Sequence, residues 1–255
     1  MPVGPNKTTA GLSGAIPQQS LTGTTRYTEK RLFYSQRDIA LILPKTIRGG
    51  FGILEAGQVM AKIRNQADPN GDEAQGVLIP YMPVTSDPSS IDHADTPGCC
   101  PVLADPNGGT TVYVDLERSW MFKVGDECIL EDNSDSPESC YITAIDRTTY
   151  DYQATLTVGA SVSGNFTPGN KARIFLRQDA GSSTDSSGEE LAKAQNKAEF
   201  ILDQTIDTGF EDQGGALGSV VISNAILYSD SLVNCDTQAE TDLGLTEDGQ
   251  FYILT

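Results

Sequence analysis

One histidine, His93, serves the whole chain of 255 residues, and it sits between Asp92 and Asp95. Imidazole and carboxylates are metal-ligand types, but a zinc centre ordinarily gathers more His or Cys at defined spacing. Asp-His-Ala-Asp therefore reads as a solvated loop, and no metal site is assigned. The five cysteines are Cys99, Cys100, Cys128, Cys140 and Cys235. The adjacent Cys99-Cys100 pair lacks the Cys-x-x-Cys spacing of redox chemistry. Cys128 and Cys140 lie symmetrically about the turn-like Asn133-Ser134-Asp135-Ser136-Pro137, so on a hairpin they would face each other, a placement that permits a bridge without requiring one. No Gly-x-Ser-x-Gly elbow is present, and a Ser-His-Asp triad would have a single histidine to draw on. Gly49, Gly50 and Gly52 lack the following Gly-Lys-Ser/Thr of a phosphate loop and suit a tight turn with φ > 0. Glu131-Asp132 and Asp135 supply carboxylates of the kind a glycosidase uses. Yet Trp120 is the only Trp and aromatics are 7% of the chain, too few for a sugar-stacking cleft, so acidic turns are the plainer reading. Asp126, in Val124-Gly125-Asp126, is expected to shape a turn. No catalytic, cofactor-binding or metal-ligating residue is assigned, and the chain is not expected to be an enzyme.

Seventeen basic and 35 acidic side chains give a net charge of −18. Such a chain repels polyphosphate, which argues against nucleic acid as a partner. The first thirty residues lack the apolar core of a signal peptide, and no apolar run approaches the roughly 18–20 residues of a membrane-spanning helix. The expectation is a reduced protein made in the cytoplasm, with no membrane partner.

The elements that would position these residues are mostly short strands. Twenty-five Gly, 13 Pro and many Thr, Ser, Asn and Asp favour strands separated by turns. Residues 1–29 are polar and aperiodic and read as an extended N-terminal arm. Strands are predicted at Ile39–Leu43, stopped by Pro44, then at Gln58–Ile63 after a tight Glu55-Ala56-Gly57 corner, and at Gly76–Tyr81. Residues 83–110 read as a long loop. Runs at Thr111–Leu116, Glu127–Glu131, Tyr141–Ile145, Ala154–Val158 and Ala172–Leu176 alternate with turn signals and predict a small barrel or sandwich. A Gly/Ser/Asp linker at 178–188 leads to a short helix over Glu189–Ala198, a strand at Phe200–Leu202, a turn at Asp207-Thr208-Gly209 and a strand over Gly218–Leu227. Asp236 caps a helix over Thr237–Leu243 that Gly244 ends, and Phe251–Leu254 is a last strand. The expected fold class is mainly β: a barrel- or sandwich-like domain with short helices, from 30–82 plus 189–255, carrying an 83–188 insertion. A separable small β-barrel is expected at about 111–176 of that insertion.

Two segments, taken together, resemble the head decoration proteins of tailed bacteriophages. Gly52-Ile53-Leu54-Glu55-Ala56-Gly57-Gln58-Val59-Met60-Ala61, followed by Gly76-Val77-Leu78-Ile79-Pro80-Tyr81, is similar to that family's Gly-x-Leu-x-x-Gly-x-Val-Leu and its strand ending in Pro-Tyr. Ala198-Glu199-Phe200-Ile201-Leu202, Asp207-Thr208-Gly209, Gly218–Leu227 and Leu243-Gly244-Leu245 are similar to its later strand, turn, strand and Leu-Gly-Leu step. The 83–188 stretch is longer than a minimal member carries, and Phe stands at 200 where Gly is common. The resemblance implies a virion structural protein, made in the host cytoplasm and bound to the outer capsid surface. Its partners would be the major capsid protein and other copies of itself, often as a homotrimer, with the arm ordering on a neighbour and the insert projecting outward. Alternative roles are another virion part (tail, neck or spike) or a carbohydrate-binding module.

Overall fold

The computed structural model describes residues 32–35, 40–64, 77–82, 97–134, 136–176, 178–179, 193–195, 197–209, 215–245 and 251–254. The chain is mainly β and built around closed sheets. Five strands come first: β1 (Phe33–Ser35), β2 (Leu41–Ile47), β3 (Ile53–Leu54), β4 (Val59–Arg64) and β5 (Leu78–Pro80). Six follow in one block: β6 (Cys99–Ala104), β7 (Thr111–Asp115), β8 (Glu127–Glu131), β9 (Glu138–Asp146), β10 (Gln153–Val158) and β11 (Arg173–Leu176). Then come β12 (Gln178–Asp179), β13 (Lys193–Gln195), β14 (Phe200–Leu202), β15 (Ile206–Asp207), β16 (Ala216–Ser223), β17 (Ala225–Tyr228), helix α1 (Thr237–Leu243) and β18 (Phe251–Leu254).

Strands β6–β11 form a closed six-stranded barrel in the order β10-β7-β6-β11-β8-β9, every neighbouring pair antiparallel. Alternation builds it. In β10, Ala154, Leu156 and Val158 are buried while Gln153, Thr155 and Thr157 face outward, as period-2 geometry requires.

A second closure runs β4-β14-β16-β2-β5 and returns to β4. Strands β5, β14 and most of β4 are buried on both faces, so they read as apolar runs rather than alternating ones. Met60, Phe200, Leu202 and Val220 point into one core, and their neighbours Val59, Ala61, Ile201 and Val221 into another. The first core continues without interruption into the barrel, through Val114, Leu130, Leu156, Phe166 and Ile174. The second is roofed by Leu227, Ala239, Leu243 and Phe251, from the β1-β17-β18 sheet and α1.

Several local expectations hold. Asp236 accepts the Ala239 N–H at 2.7 Å and Gly244 closes α1 with φ +65°. The corner at Gly57 has φ +89°, and a Cβ there would lie 2.0 Å from the Ser231 carbonyl oxygen. Phe200–Leu202 and Phe251–Leu254 are strands.

Other expectations are corrected. Cys99–Ala104 is not loop but the sixth barrel strand, held by β11 on one side and β7 on the other despite Pro101. The barrel therefore spans Cys99–Leu176 rather than 111–176. Barrel and ring both lie within one compact unit, Leu32–Thr255, and one core runs through the two. The helix expected over Glu189–Ala198 is replaced at Lys193–Gln195 by β13, which pairs with β4 and β12. Helix-favouring residues give way to available strand partners, since propensity is a weak prior against tertiary pairing. Gln178–Asp179, expected as linker, is a strand. Gly218–Leu227 is two strands, divided at Asn224 with φ +59°.

Strand β2 runs through Pro44 to Ile47. The Arg48 N–H bonds Leu78 O on β5, which turns the groups of even-numbered residues toward that outer edge. Pro44 thus points its missing donor away from β16 and costs the ladder nothing, the edge placement that suits proline. The arm, His93 with its flanking Asp92 and Asp95, and most of the 178–188 stretch lie outside the described residues.

Candidate functional site

The side chains that looked chemical at Trp120, Asp126 and Glu131 hold the fold together. Arg48, just past β2, is buried, and its Nη2 donates to Asp126 Oδ1 at 3.0 Å and Oδ2 at 2.8 Å. Asp126 also accepts the Lys123 N–H at 2.7 Å, so it shapes its turn as expected and anchors the ring to the barrel as well. Gly50 sits beside this pair with φ +93°, and a Cβ there would lie 2.2 Å from the Trp120 carbonyl oxygen. Arg147 lies over the Trp120 ring at 4.2 Å and donates to Ser119 Oγ, Ser119 O and Phe122 O. At the other end of β8, buried Arg173 donates through Nε to Glu131 Oε1 at 2.7 Å. Asp132 caps the following turn through the Ser134 N–H and hydroxyl.

Asp146 accepts from the hydroxyls and backbone N–H groups of Thr148 and Thr149. The Thr149 hydroxyl first, then the Thr148 N–H, hold its carboxyl down at about 2. This is an exposed turn device, not a proton-transfer group.

The cysteines are equally unsuited to nucleophilic work. Cys99, Cys100, Cys128 and Cys140 are buried, and burial pushes every one of these thiols up, Cys99 and Cys140 to about 12. A thiolate, the reactive form, is scarce under those conditions. Cys128 and Cys140 do oppose each other across the β8–β9 hairpin. Among the described residues, no group of three His, Cys, Asp or Glu side chains gathers as metal ligands would.

Part of what the fold presents outward is apolar and aromatic. Leu41 and Leu43, 46% and 40% exposed, project from one face of β2, and Leu217, 73% exposed opposite Thr46, from the other face. Among the described residues, β2 meets β5 only at Ile47↔Leu78, so its edge from Leu41 to Lys45 is open. On the barrel, Tyr152 is 86% exposed beside Tyr150, whose ring packs edge-on against Tyr113 at 6.3 Å. The Leu surface escaped notice in the sequence because Ile39–Leu43 is uniformly apolar, and such a run does not say which of its faces is covered.

Phe200 fills the ring core where the resembling family often has Gly, with Lys62 and Lys45 ammonium groups 5.2 and 5.7 Å from its ring centre. Lys62 is itself paired with Glu199. The two resembling segments, far apart in sequence, lie side by side: Met60 opposes Phe200, Val59 opposes Ile201, and Leu54 opposes Ile206. No known protein family, no curated protein and no solved structure matches this chain.

Proposed function

We propose that this chain is a structural protein of a tailed-phage virion that binds the outer capsid surface and strengthens contacts between major capsid subunits. The observation that carries the proposal is the convergence of the two family-like segments on one closed ring, with the barrel inserted between them. The ring would be the capsid-facing body and the barrel the outward part. Docking would use apolar contact at Leu41 and Leu43 together with the N-terminal arm, because a charge of −18 leaves little basic surface for binding by charge. Several weak contacts made at once by copies arranged in closed symmetry, such as a homotrimer, add up to firm attachment. The acidic exterior would keep the protein away from packaged DNA and soluble until captured.

Calorimetry of expanded, undecorated shells with and without saturating protein tests the role. Binding only to the assembled shell should raise the shell's melting temperature by mass action. Removing residues 1–29 should weaken the effect. Unchanged shell stability with no detectable binding would remove the capsid role. Binding of the Tyr150–Tyr152 face to glycans in the same preparation would favour a carbohydrate-binding module or spike instead.

A further inference from the structure

We propose that Cys128 and Cys140 form a latent disulfide site inside the six-stranded barrel, one that closes by exchange with a small-molecule disulfide such as oxidised glutathione. Their backbones are register partners in the β8–β9 hairpin. The pairing can be counted from the open end of that hairpin. Gly125 N–H bonds Ile142 O at 2.8 Å, and Ile142 N–H bonds Asp126 O at 2.9 Å. Hydrogen-bonded pairs recur at every second residue of an antiparallel ladder, which makes Cys140 and Cys128 the next such pair. Residues in a pair of that kind hold their Cα atoms about 5.5 Å apart. Disulfides span Cα separations of about 4.4–6.8 Å with Cβ atoms about 3.5–4.5 Å apart, so bridging draws in Cβ atoms that such a pair holds about 5 Å apart.

Opposed residues also share a face, and here both side chains are buried in the barrel interior, in the same cluster as Leu130 and Ile142. No other thiol among the five has such a partner. Cys99 and Cys100 oppose Phe175 and Ile174 on β11, and Cys235 packs against the second core.

The chemistry balances without a metal or an enzyme. The thiolate of one cysteine attacks the small disulfide and expels one thiol. The second thiolate attacks the resulting mixed disulfide and expels the other. Two protein S–H groups become one S–S bond, and the oxidant leaves as two thiols. Burial keeps both sulfurs neutral and screened, so exchange waits for the hairpin to open locally and is slow in the native state. The bridge would pin the hairpin that carries Asp126, the barrel's anchor for Arg48. If the virion role holds, the chain is made reduced in the cytoplasm and meets oxidant only after release, so the staple would set outside the cell.

The test uses the full-length protein, incubated with oxidised glutathione in mildly alkaline buffer, with and without enough urea to promote local opening. Intact mass should fall by two hydrogens, and the free thiols should drop from the initial five by two. Non-reducing peptide mapping should link the Cys128 peptide to the Cys140 peptide. The melting temperature should rise and return on reduction, and Cys235→Ala should behave like the parent. The proposal is overturned if the first bridge involves Cys99, Cys100 or Cys235, if glutathione adducts persist at Cys128 or Cys140 without closing, or if all thiols stay free under opening conditions. These readouts need no capsid, so their failure leaves the capsid role standing, and failure of shell binding leaves them standing.

Discussion

The barrel and the ring are both closed sheets, but they close differently. The barrel's strands all lie within Cys99–Leu176, and each of its six seams is an antiparallel ladder. The ring is drawn from two stretches, 41–80 and 200–223, with the entire barrel between them in sequence. Its last seam is one parallel contact, Ile47↔Leu78, extended by the Arg48 N–H to Leu78 O at 2.9 Å. The residue at that seam is also the one whose side chain is buried against Asp126 of the barrel. Three of the barrel's seams join consecutive strands, β6–β7, β8–β9 and β9–β10, against one of the ring's, β4–β5, so the ring waits more on distant partners and leans on the barrel at its weakest joint.

Breaking that joint should have the largest effect. Asp126→Ala leaves the Arg48 charge buried without its carboxylate and should cost about 3–5 kcal/mol in urea unfolding. Hydrogen exchange should accelerate first at Ile47 and Arg48, with the barrel amides still protected. Replacing both partners, Arg48→Met with Asp126→Leu, should recover much of the loss, because removing both charges avoids stranding either. A uniform acceleration across barrel and ring would mean the two respond as one, contrary to the asymmetry drawn above.

A smaller effect sharpens the same contrast. Gly50 and Gly108 both have positive φ, +93° and +70°, but a Cβ at 50 would strike the Trp120 backbone while a Cβ at 108 meets nothing within 4 Å. Gly108→Ala should therefore cost only the conformational term, about 1–2 kcal/mol. Gly50→Ala should cost clearly more, since the joint itself must shift. Equal melting points for the two variants would show that the joint yields freely.

The smallest effect belongs to Asp146, on the exposed barrel turn. Its carboxyl is held down at about 2 from an ordinary 3.8 by the Thr148 and Thr149 donors. A depressed value means that its contribution is fully present above about pH 4 and disappears as pH falls through about 2. Full exposure keeps it small. Asp146→Asn should flatten the acid limb of the stability curve slightly in low salt without moving the neutral plateau, and an NMR titration of Asp146 reads the value directly.

Legibility in the sequence followed the range of the interactions. The Asp236 cap, the Gly244 stop and the Gly57 corner are set by residues a few positions apart, and each could be read locally. The barrel hairpins could be read too, including the opposition of Cys128 and Cys140, because turn residues between alternating runs specify register. Three features could not. Pro101 and Pro44 look like strand breakers until the neighbouring strands are known: Pro101 lies opposite Arg173 of β11, and Pro44 turns its nitrogen away from β16. Lys193–Gln195 has helix-forming residues and becomes strand because β4 is there to receive it. Arg48 and Asp126 are 78 positions apart, and nothing near either residue announces the other.

Pro44 has a consequence for crowding. A strand laid along the open edge of β2 would find the Pro44 carbonyl but no N–H from that residue, so the row of donors has a gap. Flat, uninterrupted edges template the next molecule and the next after it, and fibres grow that way. A gap in the donor row makes each such addition incomplete and discourages repetition. The chain can thus leave Leu41 and Leu43 uncovered on a strand face while its edge resists runaway filament growth.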